Sequence, residues 1–421
     1  MKHQILAAIA AVGIALPALA QQGLNKERTA YIDSVIIRHI QQQHIPGATA
    51  LIIRNGEVVY NKAFGYADTE RKKAMQTDNI FRIASQSKAI TSLAVMMLWE
   101  EGKFQLDDPV SKFIPAFKNP RVKVSFNAAD SSYTTKPATR EISIRDLLRH
   151  TSGISYAAVF ADPEMQVIYS KAGVVSGIGT TDSDLKTKMN LLAQQPLQHN
   201  PGEAFTYGLN TDLLGYLVEI WSGQPLDVFL KQRIFDPLEM KDTYFHLPKE
   251  KQNRLVTLYE EKDGKMVKVT HPIYEGVDPL FPNQHGTYLS GGAGLVSTVN
   301  DYAKFLSVYL NKGLYKNKRI IGSKTAELAL TNQLTPAMAI SPLPAQPENF
   351  QFSLGGFALE TPKNDYLMPY SVGTFSWGGA FNSHYWADPK EGLIGLIFTQ
   401  EYLSPYWSIG DEFKIAVYQS L

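Results

Sequence analysis

The chain has 421 residues, 44% hydrophobic and 19% charged, which is ample for a buried core and fits one large domain with an insertion or two ordinary ones. Lys and Arg number 41 against 40 Asp and Glu, so no basic surplus is available to hold nucleic acid or an anionic membrane. The absence of cysteine excludes disulfides, thiolate catalysis, iron–sulfur ligation, Cys-containing zinc sites and a cysteine-linked lipid anchor.

Residues 1–20 read as a cleaved signal peptide. A basic start, Met1-Lys2-His3, precedes an apolar run, and Pro17 and Ala18-Leu19-Ala20 supply a helix breaker and the small residues a signal peptidase needs. An apolar run of about sixteen residues is short of the roughly 20 that a spanning helix requires. The expected mature chain begins at Gln21, and loss of Lys2 takes the formal net charge from +1 to zero. No later segment is apolar for long enough to span a bilayer, so the expectation is an exported protein without a membrane anchor.

Residues 24–44 predict a helix with Leu24, Tyr31, Ile32, Val35, Ile36 and Ile40 on one stripe, stopped by Pro46-Gly47. Residues 48–54 and 58–64 are strand-like runs joined by Asn55-Gly56, a pair that tolerates the positive φ of a tight hairpin. A helical pattern starts near Ser85 and dominates to about residue 240, including 213–221 and 228–234. Two loop-like stretches interrupt it: 119–141, with runs suited to a surface hairpin, and 162–184. Strand patterns return at 350–359, 371–376, 383–387 and 393–399, after a Pro-rich loop at 336–347. An amphipathic helix is predicted over 406–418. Strands at both ends with helices between them suggest one sheet built from both termini, with a helical domain inserted.

Several familiar constellations are missing: His-Glu-x-x-His, a P-loop, a Gly-x-Gly-x-x-Gly after a strand, and a Gly-x-Ser-x-Gly elbow. The nine histidines are scattered, so the sequence gives no metal or nucleotide site. What it does contain is Ser85-Gln86-Ser87-Lys88. Three residues of helix bring the two side chains to one face, about 5–6 Å apart at Cβ. A lysine held near a hydroxyl and partly desolvated loses proton affinity and can accept the serine proton, while the helix N-terminus supplies N–H groups to an oxyanion. The spacing recurs at Ser183-Asp184-Leu185-Lys186, but in a polar stretch. The first instance follows Phe81-Arg82-Ile83-Ala84 and opens a helix apolar nearly all round, as a buried one is. Spacing and context leave open a serine cap beside a solvated lysine.

The stretch FRIASQSKAITSLAVMMLWEEGKFQLDDPVSKFIP, residues 81–115, resembles the nucleophile helix and following turn of the penicillin-recognising serine hydrolases. The nearest branch holds class C β-lactamases, D,D-peptidases and the β-lactamase-like family VIII esterases. The likeness continues in IRDLLRHTSG at 144–153, PGEAFTY at 201–207, PLEMKDT at 237–243, GGAGLVST at 291–298, Ser376-Trp377-Gly378-Gly379-Ala380 and Asp388-Pro389. It implies a β-lactamase-like α/β fold: an antiparallel sheet from both chain ends, flanked by helices, with a mainly helical insert. The α/β part would comprise about 21–84 and 286–421, and the insert about 85–285.

The resemblance also implies roles. Ser85 would be the acylated nucleophile, Lys88 its partner, and Tyr207 the tyrosine that relays protons. A phenol ionises near pH 10 and needs a cation beside it for that work, which Lys88 would provide. The N–H groups of Ser85 and Ala380 would form the oxyanion hole. Two departures bear on substrate. The usual Tyr-x-Asn reads Tyr207-Gly208-Leu209-Asn210, so the substrate-binding amide is lost or displaced to Asn210. The Lys-Thr-Gly of β-lactamases reads Trp377-Gly378-Gly379, which removes the positive charge that meets a substrate carboxylate and leaves an indole to pack on an acyl group. Trp-x-Gly resembles the esterase branch.

His150-Thr151-Ser152-Gly153 reads as a structural turn near the cleft and Asp107-Asp108-Pro109 as a helix-to-loop turn. The expectation is a monomeric, exported serine hydrolase that acylates itself on a small neutral ester or similar acyl compound. It would take no cofactor, no metal and no nucleic acid. The alternatives are a D,D-peptidase, a D-aminopeptidase or a weak β-lactamase, with His384 or another cation such as Lys390 replacing the missing lysine, and a non-catalytic binder of cell-wall fragments.

Overall fold

The computed structural model describes residues 23–158, 161–179, 183–274, 276–340, 350–360 and 368–421. The expected signal peptide and most of the Pro-rich loop lie outside the described residues. Helix α1 (Lys26–Gln41) starts at Asn25, whose side chain accepts from the backbone N–H of Glu27 at 2.9 Å. The chain then folds back through the predicted hairpin, β1 (Gly47–Arg54) and β2 (Glu57–Asp68), with Asn55 and Gly56 both at positive φ. Lys73–Ala74 forms the short β3.

The closing strands are β4 (Gln351–Phe352), β5 (Ala358–Leu359), β6 (Phe375–Gly379), β7 (Ser383–Asp388) and β8 (Leu393–Phe398). Strand β8 pairs antiparallel with β1 from Thr49↔Phe398 to Arg54↔Leu393, which unites the two ends of the chain. The result is an eight-stranded antiparallel sheet in the order β4-β5-β6-β7-β8-β1-β2-β3.

Alternation along β1 sorts its side chains to two layers. Ala48, Ala50 and Ile52 face one core with Ile32, Val35 and Ile36 of α1 and with Ile409, Phe413 and Val417 of the last helix (Ser408–Tyr418). Leu51 faces the other and larger core, built on α2 (Ser87–Glu100), α3 (Asn210–Ser222) and α4 (Val299–Leu310). Between the chain ends lie mainly helical segments, together with the surface hairpin Arg121–Phe126 and Tyr133–Pro137.

Three elements differ from the expected pattern. The stretch read as a loop at 162–184 contains the helix Pro163–Lys171, started by the Asp162 side chain on the Met165 N–H and by Pro at the first position, and held by buried Met165, Ile168 and Tyr169. Residues 350–359 form a tight hairpin, β4 and β5, rather than one strand. Helix α4 lies where no helix was expected; Thr298 caps it on the Asp301 N–H at 3.1 Å, and Tyr302, Phe305 and Leu306 fix its inner face.

The IRDLLRHTSG segment is organised by one buried carboxylate. Asp146 accepts from Ser143 Oγ at 2.8 Å, from Arg140 and Arg149 at 3.0 Å each, and from Thr151 Oγ1 at 3.0 Å. Burial alone would raise its pKa, but the bonds from Arg140 and Ser143 prevail and hold it at about 2. Removing one partner of such a group strands the others, so Asp146→Ala should cost about 3–5 kcal/mol of stability, read as a fall in melting temperature. In the intact protein this contribution is complete above the ordinary carboxylate value of 3.8 and is lost as the pH falls through about 2. A melting temperature equal to the parent's would remove Asp146 from this role.

Candidate active site

Phe81–Arg82 pairs with Val296–Ser297, and the chain then turns sharply at Ala84, a non-glycine residue at φ +43°. Such a backbone persists only where its surroundings over-determine it. Here Ile83 N–H donates to Leu295 O at 3.1 Å, Gln86 Nε2 to Ser383 Oγ at 2.9 Å, and Tyr302 OH to Gln86 O at 2.9 Å. Ser85 lies in the 3₁₀ turn Ala84–Gln86 that leads into α2. It is partly exposed, whereas Lys88, one turn on, is 1% exposed.

Lys88 Nζ donates to Ser85 Oγ at 3.3 Å and to the Gly292 carbonyl at 2.9 Å. It also stands 4.5 Å from the centre of the Tyr207 ring and 5.7 Å from that of Tyr156. Tyr207 is half-buried between His150, Tyr156 and Trp377, at centroid distances of 4.9, 5.7 and 5.5 Å. The indole N–H of Trp377 donates to Tyr207 OH at 3.3 Å. The fold thus brings Ser85, Lys88, Tyr207 and Trp377 into one cluster.

Strand β6 reaches the Ser85 turn at Gly379. A Cβ there would lie 2.4 Å from the Ile83 carbonyl and 2.5 Å from Ser383 Oγ, so only glycine allows the approach. Gly378, on the same strand, pairs with His384. Ala380 follows directly and packs in the same cluster as Ala84. Behind it, Asn382 at φ +59° donates to Glu401 Oε2 at 3.0 Å and to Ser404 Oγ at 3.1 Å, which pins the turn into β7.

Asn210, expected to meet substrate, is not brought to this cluster's open side. It is fully buried; its Oδ1 accepts from Ser152 Oγ at 2.5 Å and its Nδ2 lies 3.0 Å from His150 Nδ1, so the amide is consumed in bracing the His-Thr-Ser-Gly turn. Burial and the charge of Lys88 push the His150 imidazole well below its usual range. Asp107 is bound to Arg145 at 2.7 Å and Asp108 to Lys112 at 2.8 Å, both as turn partners. In the second Ser-x-x-Lys, Lys186 is exposed.

The candidate cations at the missing-lysine position are elsewhere. His384 lies across from Gly378 with its Nε2 on Asn382 Oδ1 at 2.7 Å, and burial pushes its pKa down to about 3, with Lys414 adding to the effect. Lys390 is exposed in the turn past the far end of β7. Sequence reading missed the Gly292 carbonyl, Tyr156 and the buried Asp212 near Lys88; a glycine pair, a lone tyrosine and an acid in a helix's first turn carry no signal of their own. Among the described residues no three His, Asp or Glu side chains are grouped to hold a metal ion, and no helix is long and apolar enough to cross a membrane.

The family model described as Beta-lactamase matches residues 32–414. Esterase EstB of Burkholderia gladioli is 29% identical over 384 residues, covering 88% of this chain and 90% of that protein. Protein Rv1367c of Mycobacterium tuberculosis is 31% identical over 362 residues, covering 85% and 86%. Among solved structures, EstCE1, described as a hydrolase with promiscuous acyltransferase activity, superposes with a TM-score of 0.79 at 26% identity, over 93% of this chain and 99% of its own.

The close approach at Gly379 is directly testable. A methyl group there must push β6 away from the Ser85 turn, and a displacement of about 1 Å can cost a hundredfold in rate. Gly379→Ala is therefore expected to lower kcat/KM on an ester by about that factor and, because the clash is with backbone, to lower the melting temperature as well. Full activity in this variant would show that the strand need not touch the turn.

Proposed function

The chain belongs to the β-lactamase family and is a serine hydrolase, and from that premise we propose that it is an exported carboxylesterase acting on small neutral esters through an acyl-enzyme on Ser85. Ser85 Oγ attacks the ester carbonyl while its proton passes into the Lys88–Tyr207 pair. The N–H groups of Ser85 and Ala380 receive the oxyanion, the alkoxide leaves with a proton from the same pair, and water then releases the acid. We take residues 21–84 and 286–421 as the α/β part and 85–285 as the insert, with Ser85 at their junction. Gly378 and Gly379 line the strand along which substrate lies.

One observation carries the substrate class. The indole of Trp377, its N–H on Tyr207 OH at 3.3 Å, stands where a lysine would attract a carboxylate; His384 is neutral, Lys390 is distant, and Lys414, which lines the same pocket, is held over the Tyr370 and Trp386 rings with Glu360 and Asp411 near it. A charge-assisted bond to a carboxylate is worth roughly 1.5–3 kcal/mol, or about ten- to a hundredfold in rate. Neutral esters lose nothing by its absence and gain apolar contact with the indole.

On the purified protein, kcat/KM for p-nitrophenyl acetate or butyrate should exceed that for a chromogenic cephalosporin by about a hundredfold or more, and Trp377→Lys should narrow the gap by improving the cephalosporin. Ser85→Ala should lose both hydrolysis and fluorophosphonate labelling, whereas Ser152→Ala and Ser183→Ala keep them. Cephalosporin turnover equal to ester turnover would overturn the esterase reading. Export predicts a mature protein whose mass begins at Gln21; a retained Met1 would remove that assignment.

A further inference from the structure

The reaction proposed above leaves one buried carboxyl group unused. Asp212, in the first turn of α3 and five residues after Tyr207, is 1% exposed. The Gly292 N–H and the Ser290 and Tyr288 hydroxyls approach it, yet neither carboxyl oxygen makes a hydrogen bond of good geometry. Asp146 shows what a structural aspartate does in this chain: it collects a full set of donors. Asp212 does not, and an unsatisfied buried carboxylate is costly. Its position calls for a reason other than stability.

Its neighbours supply one. A Cβ on Gly292 would lie 2.7 Å from Asp212 Oδ2 and 3.6 Å from Lys88 Nζ. The carboxyl oxygen and the amine therefore converge on a single glycine with no side chain between them, and the carbonyl of that same glycine accepts from Lys88 at 2.9 Å. On its other flank a Cβ at Gly177 would lie 3.2 Å from Asp212 Oδ2. The titratable groups around Asp212 are Lys88 from α2, Tyr156 from the segment after the His-Thr-Ser-Gly turn, and Tyr288 from the loop before Gly291. Tyr207 and His150 stand behind Tyr156 and Lys88. Burial pushes the Asp212 carboxyl up to about 6, and Lys88 is among the groups that draw it back down.

We propose that Asp212 is the positioning residue of the Ser85–Lys88 pair: with no direct ion pair between them, its carboxylate acts across Gly292 to stabilise the positive charge that Lys88 gains with the Ser85 proton. In that step the Ser85 Oγ–H bond breaks and its proton moves to the lysine nitrogen. The Oγ electron pair forms the bond to the acyl carbon, and the carbonyl π pair becomes the oxyanion. A nucleophile and base oriented by a third group is the general form of such arrangements. The inference rests on the reading of Ser85 and Lys88 given above.

The test is Asp212→Asn, which keeps the shape and removes the charge. A negative neighbour favours the protonated lysine, so without it the neutral amine forms at lower pH. On p-nitrophenyl butyrate, kcat should fall about tenfold or more while KM changes less, and the acid limb of the kcat/KM profile should move down by about one pH unit or more. In Asp212→Ala, formate should restore part of the lost rate and formamide should not. An unchanged profile, a slower enzyme with an unmoved acid limb, equal rescue by formate and formamide, or failure of both variants to fold each overturns the proposal. Fluorophosphonate labelling of Ser85 in the parent separates the two readings: no labelling sinks the Ser85 assignment itself, whereas labelling with an unshifted Asp212→Asn profile sinks only the role of Asp212.

Discussion

The burial of Lys88 is the constraint about which the protein is arranged. Every residue of α2 from Ser87 to Leu98 is buried, and Lys88 itself is 1% exposed. Placing an ammonium there costs several kcal/mol unless its surroundings compensate. The compensation comes from four separate parts of the chain: the Ser85 turn, the Gly292 carbonyl, the Tyr207 ring and the Tyr156 ring. Three of the family motifs, those carrying Ser85, Tyr207 and Gly292, thus meet at one buried amine.

A second constraint joins this centre to the sheet. The left-handed turn at Ala84 orients Ser85, and Ser383 of β7, Leu295 and Tyr302 of α4 hold the turn. Gly379 lets β6 approach the same turn closely enough for Ala380 to follow beside Ala84. The Ser85 turn and strand β6 are thus fixed relative to each other by backbone contact, which varies less than contact through flexible side chains. A site that depends on preorganised N–H donors needs that rigidity.

The sequence was most informative where one residue type has one plausible use. Asn-Gly between two strand-like runs could be read locally, whereas Ser-x-x-Lys and Trp in place of a lysine took their meaning from the family resemblance. Asn210 could not be read locally, because whether an amide faces substrate or braces a turn depends on Ser152 and His150, some sixty residues away. Asp212 was hidden for another reason: an acid in a helix's first turn ordinarily complements the dipole at the surface, and burial reverses that meaning. The helix at 163–171 escaped notice because Pro163 suggests a break, although at the first position it suits a helix.

The Trp377–Tyr207 bond separates two functions that a lysine would combine. A lysine at that position would donate to the tyrosine oxygen and also present a charge to substrate. The indole N–H keeps the first function, as a donor to the phenol oxygen, and it brings no charge. On the proposed mechanism, proton relay therefore survives the replacement while attraction for anionic substrates does not. Lys88 is too deeply buried to meet a substrate carboxylate, and it stands beside Asp212 across Gly292. The same geometry that keeps the acylation machinery intact thus removes the means of recognising a charged acyl donor, and neutral esters are the substrates that lose least by the exchange.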